Sequence, residues 1–157
     1  MQSAQPLASE LSPGAPDLHP ELESLLAYWF VKRAARTMPA RSEMPPGEWE
    51  RWHRNLALFG VIQYGALRVY ECRMASPALA ARLGGDVTGL SLDEMDADVR
   101  TSLRVNFESA WEKRAPVLGR TRMMVGAEAV TYSDLILPLS DNGRSADLIL
   151  LGSYPVV

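Results

Sequence analysis

The chain is 157 residues long, 47 % hydrophobic, 22 % charged and 8 % aromatic, the make-up of an ordinary globular protein of one domain. It is too short for a doubly wound two-domain enzyme or a full kinase, yet a domain of this size buries about two thirds of its unfolded surface and needs no disulfide or structural metal. The single cysteine, Cys72, excludes an internal disulfide and a cysteine-built zinc site. A net charge of −3 gives no overall attraction to nucleic acid or anionic lipid. No stretch approaches the ~20 continuous apolar residues of a membrane helix, and the N-terminus lacks the basic-then-apolar order of a secretory signal. The expected compartment is the cytoplasm.

Residues 1–18 are rich in Ala, Pro and Ser without helical or strand period, and are expected to form a mobile tail. A single domain then spans residues 19–157. Its first element is a helix over 20–37, with Pro20 in the first turn, Glu21 and Glu23 at the positive end, and Leu22, Leu25, Leu26 and Trp29 repeating at three and four residues. Tyr28, Phe30 and Val31 widen the apolar face, so the helix is expected to be deeply buried or to pack on another subunit. Pro45, Pro46 and Gly47 predict a loop before a short helix carrying Trp49 and Trp52.

Strands follow at Leu56 to Tyr64 and Leu67 to Met74, joined by a tight turn at Gly65-Ala66, with Tyr70, Cys72 and Met74 on the inner face. Ser76 caps a short helix that Gly84-Gly85 ends, and Gly89 to Met95 holds a further turn. From Ala97 to Arg114, Val99, Leu103, Phe107, Ala110 and Trp111 share one helical face. The last forty residues predict strands at Val117 to Val125, Ala129 to Leu137 and Ala146 to Ser153, with turns at Gly126-Ala127-Glu128 and Ser140 to Arg144. The result is an α+β fold, a five-stranded antiparallel sheet with helices on one face and an extra N-terminal helix.

That element order is similar to the PAS sensory fold, and three stretches resemble a bacterial family of small, atypical PAS-type proteins: LLAYWFVKRAARTMPARSEMPP (Leu25 to Pro46), GGDVTGLSLDEM (Gly84 to Met95) and LPLSDNGRSADLILLGS (Leu137 to Ser153). The second resembles the G-D-x-T-G-x-x-L turn of PAS domains, and the third the family's LPLS-D-x-G hairpin. The resemblance covers Leu22 to Ser153. One departure is Met74-Ala75-Ser76, where such proteins carry a Gly after the second strand. The resemblance implies a sensor or protein-interaction module, dimeric through its N-terminal helix, and carries no catalytic residues.

PAS-type cavities hold flavin, haem or small metabolites, and each makes a demand on the residues. A photoreactive flavin site resembles N-C-R-F-L-Q on a helix, whereas Cys72-Arg73 sits in the strand run VYECRM with no Asn before it. Haem needs a histidine near the long helix, but only His19 and His53 are present, one at the tail boundary and one before the first strand. Both cofactors are disfavoured, and two separated histidines make no metal cluster. No glycine-rich loop ends in Lys-Ser/Thr, and Gly89 to Asp93 is not a nucleophile elbow. Asp93, Glu94, Asp96 and Asp98 read as helix-start acids rather than as an acid-base pair.

The expected function is therefore a non-catalytic sensory or protein-interaction module in signalling that binds a small ligand or a partner protein. The pattern places Phe59, Tyr70, Cys72, Leu92, Phe107, Tyr132 and Leu148 around any cavity between sheet and helices. Leu22, Leu26, Trp29, Trp49 and Trp52 are the expected dimer or partner contacts, the two last as a surface pair. An alternative is a small cone-shaped α+β enzyme of the ketosteroid-isomerase-like kind, for which Tyr132 with a buried Asp134 is the candidate pair. A third reading, a nucleic-acid regulator using the basic stretch from Lys32 to Arg54, predicts steeply salt-dependent binding.

Overall fold

The structure, a computed structural model, describes residues 11 and 18–156. The expected mobile tail lies outside the described residues except for Leu11 and Leu18, which are partly buried against the core and so are not free of it. Helix α1 spans Pro20–Arg33, and His19 caps it, its ring Nδ1 accepting from the Glu21 N–H at 3.1 Å. It stops before residue 37: Ala34 turns out of the helix at a φ of 54°, and the chain bends so that Met38 reaches the core. In place of a helix carrying the tryptophans, three single turns of 3-10 helix (Arg41–Glu43, Pro46–Glu48 and His53–Asn55) lead to the sheet.

Strands β1 (Leu56–Tyr64) and β2 (Leu67–Ala75) form the first hairpin. Helix α2 (Pro77–Leu83) is capped by the Ser76 hydroxyl, which accepts from the Leu79 N–H, and ends at Gly84 with a φ of 114°. Helix α3 (Ala97–Lys113) precedes β3 (Val117–Val125), β4 (Glu128–Leu139) and β5 (Leu148–Pro155). The sheet is antiparallel throughout in the order β2-β1-β5-β4-β3. First and last strands thus pair at its centre, and the helices between β2 and β3 cross one face.

At its centre the sheet is buried on both faces. The inner side, under α2 and α3, packs Phe59, Tyr70, Cys72, Ile136, Ile149 and Leu151 against Leu79, Leu103 and Phe107. The outer side packs Leu58, Leu135, Leu137 and Leu150 against Leu22, Leu25, Leu26 and Trp29 of α1. Two glycines set how closely the helices approach. A Cβ on Gly152 would stand 2.7 Å from Cδ2 of Leu25, and one on Gly119 would collide with the side chain of Asn106 in α3.

The inner-face assignment of Met74 is corrected by a bulge. Leu58 pairs with Met74 and Phe59 with Cys72, so Arg73 has no partner and alternation reverses beyond it. Met74 consequently packs on the outer cluster. Each sheet edge is met only locally: the Cys72 N–H of β2 donates to the Leu90 carbonyl at 2.9 Å and its carbonyl accepts from the Gly89 N–H at 2.8 Å, and on β3 the Arg120 carbonyl accepts from the Ser102 hydroxyl at 2.9 Å.

Candidate functional site

The inner face of the sheet brings together most of the expected pocket residues. Phe59, Tyr70, Cys72, Leu92 and Phe107 are fully buried there. The Phe107 ring stands edge-on to both Phe59 (centroids 5.0 Å apart) and Tyr70 (5.3 Å), an arrangement that the aromatic quadrupole favours. Tyr132 is half-buried on the same face. Leu148 does not belong there: it is the residue opposite Gly60 and Leu139 at the start of β5, and alternation turns it to the outer cluster.

Towards the α2 end, the face is polar. Arg82 points inward from α2 with its side chain 4 % exposed, and Asp134 of β4 is 0 % exposed. Arg82 Nη1 lies 3.0 Å from Asp134 Oδ1 and Nη2 lies 3.5 Å from Oδ2. Ser153 Oγ donates to Oδ1 at 2.6 Å, Thr121 Oγ1 donates to Oδ2, and Arg82 Nη1 also donates to Ser153 Oγ. The face of the Tyr132 ring covers the guanidinium at 4.1 Å. Both carboxylate oxygens of Asp134 are therefore occupied, while Arg82 Nε is buried without a partner among the described residues. Sequence reasoning missed Arg82 and its hydroxyl partners. The available signal was Arg82 standing three residues after Leu79 and next to Leu83, on the apolar stripe of α2.

A second polar group closes the other end. Arg68 Nε and Nη2 each lie 3.1 Å from a Glu108 carboxylate oxygen, Tyr70 donates its hydroxyl to the same carboxylate, and the Arg68 guanidinium sits 3.7 Å over the Trp111 ring. Burial pushes Glu108 up, but the hydrogen bonds from Tyr70 and Arg68 outweigh it and hold the carboxyl below its ordinary range. Burial, reinforced by Glu108, pushes the Tyr70 hydroxyl upward. Burial also raises the Cys72 thiol, the opposite of what a nucleophile needs. His19 is engaged as a helix cap and stacks on Tyr154 at 4.6 Å, and His53 lies exposed in a 3-10 turn. Among the described residues no three His, Cys, Asp or Glu side chains converge in a way that could hold a metal ion.

The expected surface contacts are corrected. Leu22, Leu26, Trp29, Trp49 and Trp52 are all buried within the chain, because α1 and the turns after it form the cover of the outer face. Trp29 Nε1 donates to the Pro138 carbonyl at 2.9 Å and Trp52 Nε1 to the Ser24 hydroxyl at 2.8 Å. Three residues of the basic stretch are paired internally: Lys32 with Glu48 (3.0 Å), Arg36 with Glu43, Arg51 with Glu21 (2.8 Å). Arg33 lies over the Phe30 ring and Arg41 over the Trp49 ring.

The two motif turns are structural. In GGDVTG, Asp86 Oδ1 accepts from the Thr88 N–H at 3.2 Å, and Gly89, with a φ of 88°, passes the chain onto β2. In LPLSDNG, the Ser140 N–H donates to the Pro39 carbonyl at 3.0 Å, and Asn142 Oδ1 accepts from the Arg144 N–H at 2.7 Å. No helix of the described residues is long and apolar enough to cross a membrane.

A five-stranded antiparallel sheet in this order, with the β2-to-β3 helices on one face, is a PAS-like α+β architecture. A family model described as PAS domain matches residues 18–154, and the chain belongs to that family. A comparison with curated proteins finds no match.

Proposed function

We propose that this PAS domain is a non-catalytic sensory module of the cell interior that works by protein interaction, with its inner face serving as a packed core. The observation that carries this reading is the aromatic group Phe59, Tyr70 and Phe107, whose rings meet in the middle of that face. Its two polar ends are ion pairs whose carboxylates are already bonded by Arg82 and Arg68. An enzyme of the ketosteroid-isomerase-like kind needs a carboxylate free to take a proton. Asp134 is buried as that reading requires, but Arg82, Ser153 and Thr121 occupy it, and Tyr132 offers its ring face rather than its hydroxyl. The ion pairs within the basic stretch support a role without nucleic acid.

A second reading, a small-ligand sensor, is favoured by one observation, the unpartnered N–H of Arg82 Nε beneath α2. Such a buried donor costs about 1–3 kcal/mol unless something accepts from it. Native mass spectrometry of the full chain, beside its denatured mass and visible spectrum, separates the two. The interaction reading expects a native mass that is a whole multiple of the chain, with no visible band. Additional retained mass overturns it in favour of the ligand sensor, and that mass names the ligand class.

A further inference from the structure

The two edges of the sheet are not alike. On β2 the carbonyl of Arg68 accepts from Arg104 Nη2 at 3.2 Å, and Cys72 has both backbone groups bonded to the turn at Gly89-Leu90. On β3 the cover ends at Arg120, whose carbonyl takes the Ser102 hydroxyl of α3. That carbonyl points away from β4, and alternation turns the N–H and C=O of Arg122 and Met124 the same way. Thr131, opposite Arg122, fits this register: its carbonyl accepts from the Val156 N–H, on the side away from β3, at 2.7 Å. The backbone groups of Arg122 and Met124 thus face outward with no partner among the described residues. An open edge of this kind is a template for another strand.

The side chains beside the open edge set what that strand must carry. Arg120 and Arg122 are exposed on the outer side, and neither makes an ion pair among the described residues. Their cross-strand neighbours, Ser133 and Thr131, are uncharged. On the inner side stand Met123, which packs on the core, and Val125, 50 % exposed. An added strand alternates in the same way, so its outer residues meet two cations and its inner residues meet a methionine and a valine. A second β3 laid antiparallel on the first would set arginines against arginines, and like charges opposite one another repel.

We propose that the β3 edge at Arg122 to Met124 takes up an extended segment of a partner protein, in which acidic residues alternate with apolar ones. Main-chain hydrogen bonds to Arg122 and Met124 hold the segment, and the guanidinium groups of Arg120 and Arg122 select its charge. This rests on the interaction reading and gives that reading its partner chemistry.

The probe is a fluorescein-labelled, capped peptide that alternates Glu with Val and Thr and spans the length of β3, titrated with the full chain and read by anisotropy. Saturable binding is expected, with slower hydrogen exchange at the Arg122 and Met124 amides and no change at Thr121 and Met123, whose N–H groups already bond β4. Met124→Pro removes an outward donor without breaking a bond to β4, and is expected to weaken binding by about tenfold or more with unchanged circular dichroism. The double variant R120E/R122E is expected to exchange the preference, so that the matching peptide with Lys in place of Glu binds instead. Absence of binding overturns the proposal, as do equal binding of the Lys peptide by the wild type and binding without protection at Arg122 and Met124. A chain mass that doubles with concentration and returns to a single copy with Met124→Pro overturns it too, since the occupant is then a second copy. None of these outcomes bears on the native-mass test of the interaction reading, which is decided by retained ligand alone.

Discussion

The two faces of the sheet are built from different chemistry. The inner face is covered by α2 and α3, which lie between β2 and β3 in the chain, and it contains two ion pairs and several hydroxyls. The outer face is covered by a segment that precedes the sheet, and its contact is mainly apolar, with a few uncharged hydrogen bonds such as those of the Trp29 indole, the Asn55 amide and the Pro39 carbonyl. The inner face therefore depends on matched polar partners, which fail all at once when one is removed. The outer face depends on shape, which yields by degrees.

The strongest test of that contrast removes one member of the buried pair. Arg82→Met leaves the Asp134 carboxyl buried without its cation, and is expected to cost about 3–5 kcal/mol in denaturant unfolding, while R82M/D134L recovers most of the loss. Additive losses in the double variant would show that the pair is not a unit. On the outer face, Leu26→Ala is expected to cost about 2–4 kcal/mol and to reduce amide protection in residues 20–33 more than in α3, as hydrogen exchange would read. Equal loss in both helices would mean that the two faces unfold as one.

A smaller effect is expected of Gly152→Val, where the added methyls must displace Leu25 and Leu22. The cost is about 1–3 kcal/mol, and Leu25→Ala in the same chain should relieve part of it. The smallest concerns Glu108, a third exposed. Glu108→Gln is expected to cost about 1 kcal/mol at neutral pH. Because the folded carboxyl is held below its ordinary range, the contribution is complete above the unfolded value of about 4.3 and disappears as pH falls through the lower, folded value. Thermal melts of wild type and variant should therefore converge in acid. A gap that persists there would assign the effect to packing.

Much of this fold was legible because the strands carry a two-residue period and the turns carry Gly, Asn or Pro. β1 and β3 begin and end where the pattern predicts, and α3 ends one residue early. The failures have separate causes. Met74 changed face because a bulge inserts Arg73, and nothing in an alternating run announces which residue will be left unpaired. The tryptophans of the 3-10 turns were expected at the surface because composition does not say what a loop will cover. Asp134 was noticed as a candidate base, but its meaning changed with Arg82, a partner 52 residues away in sequence.

By itself, the sequence determined the elements, their order and the apolar sides of α1 and α3, since period, caps and breakers act over a few residues. It also determined the family through three short motifs. Only the tertiary structure decided that α1 roofs the outer face, that Arg82 neutralises Asp134, and that β3 keeps its edge open beyond Arg120. These are long-range pairings. They follow from which surfaces fit after the elements form, and burial of a charge or a methyl has no local signature until its neighbour arrives.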